Sequence, residues 1–199
     1  MTVAQIALTV ALGIAGYLLG AVPFALLVAR RGYGVDIRAV GTRNVGAGNV
    51  YRTLGARAGL LVMACDMGKG LLPSLAAVLL LPSWPAALVA FMPMLGHQYS
   101  VFLRGAGGKG VATAAGAVLP LAPLVFLVTL VPWVIVVNIP RLMRFAPVVA
   151  GGVYLVASFV IAEPNAYRVL AVAVCAAVLI AFRTESGVRP TGGGEPRRP

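Results

Sequence analysis

Runs of about twenty apolar residues constrain this chain more than any motif in it, because that length is what an α-helix needs to cross ~30 Å of hydrocarbon. They lie near 5–29, 58–81, 84–103, 146–162 and 165–182. Of the residues, 60% are hydrophobic and 11% charged, more apolar than a single soluble core requires. A membrane barrel would show short alternating strands instead. The expected fold is all-α and integral to the membrane. Run 5–29 lacks a basic start and a small-residue cleavage site and passes straight into Arg30-Arg31, so it reads as an uncleaved first span rather than a signal.

The block from Gly110 to Asn138 is ambiguous, since it holds Pro120, Pro123 and Pro132. Crossing twice gives about seven spans with the N-terminus outside, and it gathers on the inner side every basic residue outside the spans except Arg168. A single crossing scatters them, so the positive-inside bias favours two. The block is only about 43 Å long as helix, so its two spans must be short, with a break expected near Pro120. Short spans put polar backbone at membrane depth, which is tolerated where protein or a wet cavity covers it.

The formal charge of +11 follows from this topology and calls for no nucleic acid. Cys65 and Cys175 lie far apart with no Cys/His cluster nearby, so neither a disulfide nor a metal is expected, and no cofactor. The chain reads as one transmembrane domain over 1–184, followed by a disordered tail over 185–199, "ESGVRPTGGGEPRRP". Nothing in the sequence sets an oligomeric state.

Two polar segments fall on the inner face. In "DIRAVGTRNVGAGNVYRTLG", Gly41, Gly46, Gly48 and Gly55 permit turns and close approach, Asn44 and Asn49 offer amides, and Arg43 and Arg52 offer guanidinium forks. That is an anion cradle, although a loop anchored on acidic lipids also explains its arginines. In "LRGAGGKGVAT", Gly105, Gly107, Gly108 and Gly110 let backbone N–H groups converge before a helix start, and Lys109 adds a full charge, a phosphate-binding arrangement. A plain flexible turn is the blander account. No strand precedes the segment and Gly110 stands directly after Lys109 where a Walker loop has Ser/Thr, which excludes dinucleotide and Walker loops. Asp66 and Lys69, spaced i, i+3 inside a span, form either a structural ion pair or part of a wet site. His97, the only histidine, is expected to support the glycine loop.

These residues resemble the bacterial integral-membrane glycerol-3-phosphate acyltransferases that use acyl phosphate. The resemblance covers roughly 16–118: the arginine–asparagine segment is similar to the family's first signature, "CDMGKGLLP" to its Asp-x-x-Lys-Gly-x-x-Pro segment, and "GHQYSVFLRGAGGKGVATAAG" to its second signature. It implies seven helices with a site facing the cytoplasm in the bacterial inner membrane. The implied substrates are acyl phosphate and glycerol 3-phosphate, beside membrane lipids, and the product is lysophosphatidic acid. Thr42, Asn44, Asn49 and Arg52 would line one phosphate pocket, and Lys109 with its glycines would hold the second anion.

Several positions depart from the family pattern. Thr42 replaces serine, Gly48 stands where the family has threonine, and Pro147 falls near a family serine. The third signature, after the last span, is unrecognisable in "FRTESGVRPTGGGEP", where Thr184 and Gly187 replace His and Asn and only Glu195 is a candidate match. Two alternatives therefore stay open: an anion or lipid carrier built on broken helices, and a non-catalytic relative of the enzyme.

Overall fold

The computed structural model describes residues 1–139, 141–161 and 164–186. Its helices in order are α1 (Val3–Ala21), α2 (Phe24–Tyr33), α3 (Ala47–Leu54), α4 (Ala56–Leu80), α5 (Ser83–Gln98), α6 (Val111–Leu121), α7 (Pro123–Val137), α8 (Ala146–Val160) and α9 (Asn165–Ser186). No strand occurs among the described residues, so the all-α expectation holds. Val3–Tyr33, Ala56–Leu80, Ser83–Leu103 and Asn165–Arg183 are long and apolar enough to cross a membrane.

Among the described residues three apolar helices are shorter, where the sequence led us to expect two. α6 has 11 residues, α7 15 and α8 15. At 1.5 Å per residue the last two are about 22 Å long. α8 occupies the run read as 146–162, which therefore falls short of a full crossing on its own helix length. Within the proline-rich block the break expected near Pro120 comes at Ala122. Pro123 drives the residue before it out of helical geometry, whereas Pro120 is carried in the last turn of α6.

The first run is also divided. α1 stops at Ala21, Val22 is extended, and α2 starts after Pro23, again because the residue before a proline avoids helical geometry. α9 continues to Ser186, so the first two residues of the expected tail are helical. Gly187 and Glu195, with the rest of the tail, lie outside the described residues.

Helices in lipid gain little from burying apolar side chains against one another, so close packing of small residues carries the association. α1 and α5 meet backbone to backbone: a Cβ on Gly20 would overlap the Pro93 carbonyl, and one on Gly96 the Tyr17 carbonyl. α4 and α6 meet in the same way, with Gly70 against Thr113 O and Gly116 against Met67 O. A second, apolar anchor forms at the polar end, where Ile37, Val45 and Val50 bury against Ala25 and Ala29 of α2 and Ala58 and Val62 of α4. It fixes the arginine–asparagine segment to the bundle.

Candidate functional site

That segment is not a bare loop, because α3 forms inside it, from the N-cap Gly46 to Gly55. Asn49 organises what precedes it. Its Nδ2 donates to the carbonyls of Ile37, Val40 and Asn44, each at 3.1 Å, and its Oδ1 accepts from the Thr42 N–H at 2.9 Å and more weakly from Thr53 Oγ1 at 3.4 Å. Gly41, at φ 58, leaves no room for a Cβ against Asn49 Oδ1 and Thr53 Oγ1. Asn49 is fully buried, so its amide serves the loop rather than a ligand, contrary to the role expected from the sequence.

What the loop presents outward is Thr42, Arg43 and Arg52, all exposed, and the half-buried Asn44. Arg43 sits in the left-handed region at φ 62. These groups lie in the segment that leads into α3 and on α3 itself; the Asn49 N–H already donates to Gly46 O, and the N–H groups of Ala47 and Gly48 at the helix start favour negative charge. Gly48, in that first turn, lies beside Arg52: a Cβ there would stand 3.8 Å from the guanidinium. At the start of the loop Asp36 is clamped by Arg38, with Nε–Oδ1 at 3.0 Å and Nη2–Oδ2 at 2.7 Å, and by Arg30. Hydrogen bonding from Arg38 holds the Asp36 carboxyl well below the usual carboxylate range, and Asp36 in turn raises Arg38.

In the glycine–lysine segment, the N–H groups do something other than converge on phosphate. Gly105 donates to Ser100 O at 2.8 Å, Ala106 to Leu103 O at 3.1 Å, Gly107 to Gln98 O at 3.1 Å and Gly108 to His97 O at 3.1 Å. The segment folds back over the C-terminal end of α5 and satisfies its last carbonyls. Glycine is needed for close approach: a Cβ on Gly107 would overlap His97 O, and one on Gly108 would overlap His97 Nε2 and the Val45 carbonyl. Gly110, at φ 75, is the N-cap of α6. The first turn of α6, beginning at Val111, is where backbone donors suited to an anion remain.

Beneath both segments lies a buried polar cluster. Lys69 Nζ is 2.9 Å from Asp66 Oδ1, with side chains 1% and 2% exposed, and it donates to Val22 O at 3.0 Å. Ser100 Oγ donates to Ala21 O at 2.6 Å. Together they bond the carbonyls at the α1–α2 break, of which Val22 O also accepts from the Phe24 N–H. His97 Nδ1 lies 3.7 Å from Asp66 Oδ1 and 3.3 Å from Thr113 Oγ1. A narrow crevice of about 10 Å³, room for one water, is lined by Val22, Pro23, Val45, Lys69, His97, Ser100, Gly107 and Gly108 among others. The two polar segments thus meet, at Val45 and Gly108.

Lys109 is half-buried between the start of α6 and the end of α9. Its Nζ stands 3.8 Å from the centre of the Phe182 ring, and its carbonyl accepts from Gln98 Nε2 at 2.9 Å. Gln98, Ser100, Thr113 and Phe182 were not singled out from the sequence. Gln98, Ser100 and Thr113 lie within the stretch similar to the family's second signature, but Phe182 ends an apolar run with no distinguishing pattern.

The family model described as glycerol-3-phosphate acyltransferase matches residues 10–189. The glycerol-3-phosphate acyltransferase of Roseiflexus sp. (strain RS-1) is 43% identical over 181 residues, which cover 88% of this chain and 89% of that protein. Among solved structures, PlsY (YgiH), an integral membrane glycerol 3-phosphate acyltransferase, is similar in its glycerol 3-phosphate form with a TM-score of 0.84 at 35% identity, covering 89% of this chain and 90% of that one. Its lysophosphatidic acid form gives 0.82 at 34%, covering 89% of each.

Proposed function

The chain belongs to the bacterial membrane glycerol-3-phosphate acyltransferase family, and from that premise we propose that it moves an acyl group from acyl phosphate to glycerol 3-phosphate. A hydroxyl oxygen of glycerol 3-phosphate bonds to the acyl carbonyl carbon, the bond from that carbon to the phosphate oxygen breaks, and the phosphate leaves with the hydroxyl proton. The products are lysophosphatidic acid and inorganic phosphate. Because acyl phosphate is already activated, the protein needs no covalent nucleophile; positioning two anions and stabilising charge on the carbonyl suffice.

The observation that carries this reading is the meeting of Val45 and Gly108 at one crevice, which joins the two polar segments to which Arg52 and Lys109 belong. Thr42, Arg43, Asn44 and Arg52 take one phosphate and Lys109 with the first turn of α6 the other. Gly46 and Gly110 cap the two helices, and Asn49, Asp66, Lys69, His97, Gly107 and Gly108 hold the frame. The PlsY forms with glycerol 3-phosphate and with lysophosphatidic acid support this choice of acceptor and product. The site faces the cytoplasm of a bacterial inner membrane, with the N-terminus outside, on the positive-inside argument.

The test is to purify the protein in detergent, supply palmitoyl phosphate and glycerol 3-phosphate, and measure phosphate release together with lysophosphatidate. Turnover should fall about 10²–10³-fold in Arg52→Ala and in Lys109→Ala, the usual loss for one charge-stabilising donor. Tight binding of both ligands without turnover would instead favour a carrier or a non-catalytic relative.

A further inference from the structure

The end of α9 reaches the glycine–lysine loop twice. Gln98 Nε2 bridges the Lys109 carbonyl, at 2.9 Å, and the Ala177 carbonyl of α9, at 3.2 Å. Five residues further along α9, the face of Phe182 receives the Lys109 ammonium at 3.8 Å from the ring centre. Main chain and head group of the same lysine are therefore both referred to the last helix.

We propose that Phe182 is a positioning residue for Lys109, holding its ammonium in the place where it meets the substrate anion; this rests on the reading of Lys109 as an anion-binding group. A lysine ammonium is a compact charge on a flexible four-carbon stem, and left to itself it spreads over many rotamers. The negative face of an aromatic ring selects among them, within the roughly 6 Å over which a cation and a ring attract. A charge fixed before the substrate arrives costs no reorganisation when negative charge develops on the reacting group. Gln98 adds what the ring cannot, since it sets the height of the Lys109 backbone against α9.

The deciding experiment replaces Phe182 with a trifluorinated phenylalanine, which keeps the shape and weakens the face, alongside Phe182→Leu and Phe182→Trp. Two readouts are taken in detergent: turnover with palmitoyl phosphate and glycerol 3-phosphate, and the rate at which acetic anhydride acetylates Lys109, followed by mass spectrometry. The other lysine, Lys69, is 3% exposed and reports on folding by staying unlabelled. Phe182→Leu and the fluorinated variant should lose about threefold to tenfold in kcat/KM, with Phe182→Trp near the parent, as expected for a partly desolvated cation–ring contact. Lys109 should acetylate faster in the same two variants by a similar factor. A fluorinated variant identical to the parent in labelling overturns the proposal, as does equal loss in Phe182→Leu and Phe182→Trp while Lys69 stays protected. Parent protein without turnover would sink the proposed reaction, while the labelling arm still decides the role of Phe182.

Discussion

Lys69 Nζ donates to the Val22 carbonyl across 3.0 Å, so a residue in the middle of α4 closes the break between α1 and α2. The same ammonium faces Asp66 Oδ1 at 2.9 Å. Removing it leaves the buried carboxylate without its ion-pair partner and takes from the Val22 carbonyl one of its two donors, the other being the Phe24 N–H. Breaking a buried pair by deleting one partner costs about 3–5 kcal/mol, so Lys69→Met should melt far below the parent. Adding Asp66→Leu to that variant should restore part of the loss, because the stranded charge goes with it. Thermal melting in detergent, followed by tryptophan fluorescence, makes the comparison; a single variant as stable as the parent would contradict the tie.

Asn49 and Asn44 should separate under mutation although both were expected in the phosphate pocket. Asn49→Asp turns a donor facing three carbonyls into an acceptor, and Asn49→Ala takes the partner from the Thr42 N–H and from the carbonyls of Ile37 and Asn44, while Val40 keeps the Arg43 N–H. Each buried group so stranded costs about 1–3 kcal/mol. Both variants should lose melting temperature and turnover together. Asn44→Ala should keep its melting temperature and raise the KM for glycerol 3-phosphate, and kinetics beside a melt will show whether it does.

Two glycines of α4 and α6 make opposite predictions. A Cβ at Gly116 would overlap the Met67 carbonyl, which cannot yield without parting the helices, so Gly116→Ala should be severely destabilising. Gly68 has nothing within 4 Å, and Ala is favoured over Gly inside a helix by up to about 1 kcal/mol. Gly68→Ala should therefore match or exceed the parent in detergent melts.

Asp36 sets a pH dependence whose sign is fixed by its depressed pKa. The carboxyl is easier to ionise in the folded chain than in the unfolded one. Its contribution is therefore complete above the ordinary carboxylate value of about 3.9 and fades as the pH falls toward the lower folded value. Asp36→Asn should lower the melting temperature equally at pH 7 and pH 5, with the gap narrowing below pH 4. The pair is exposed to water, so high salt should shrink the gap at every pH.

Hydropathy located what depends on a whole helix and missed what depends on one residue. The run 84–103 is close to Ser83–Leu103, yet the window that found 5–29 averaged over Pro23 and hid the break at Val22. α3 was illegible because eight residues with a glycine inside and one at each end carry too little periodicity. The glycine–lysine loop was recognised, but its glycines were read as freeing donors. Sequence shows that a backbone is unencumbered; it does not show that the carbonyls of His97 and Gln98 will stand in front of it. The spacing of Asp66 and Lys69 gave the pair, while their third partner, a main-chain oxygen 47 positions away, has no side chain to betray it.

Where α1 meets α5 and α4 meets α6, one helix's main chain rests on the other's with only hydrogen between. At Gly20, Gly96, Gly70 and Gly116 the seam offers no side chain to trim or swap, so inherited change at those positions has almost nowhere to go. Novelty in substrate choice must come instead from the rim and from the final helix, and a tuned descendant of this chain would differ from it there while keeping its seams untouched.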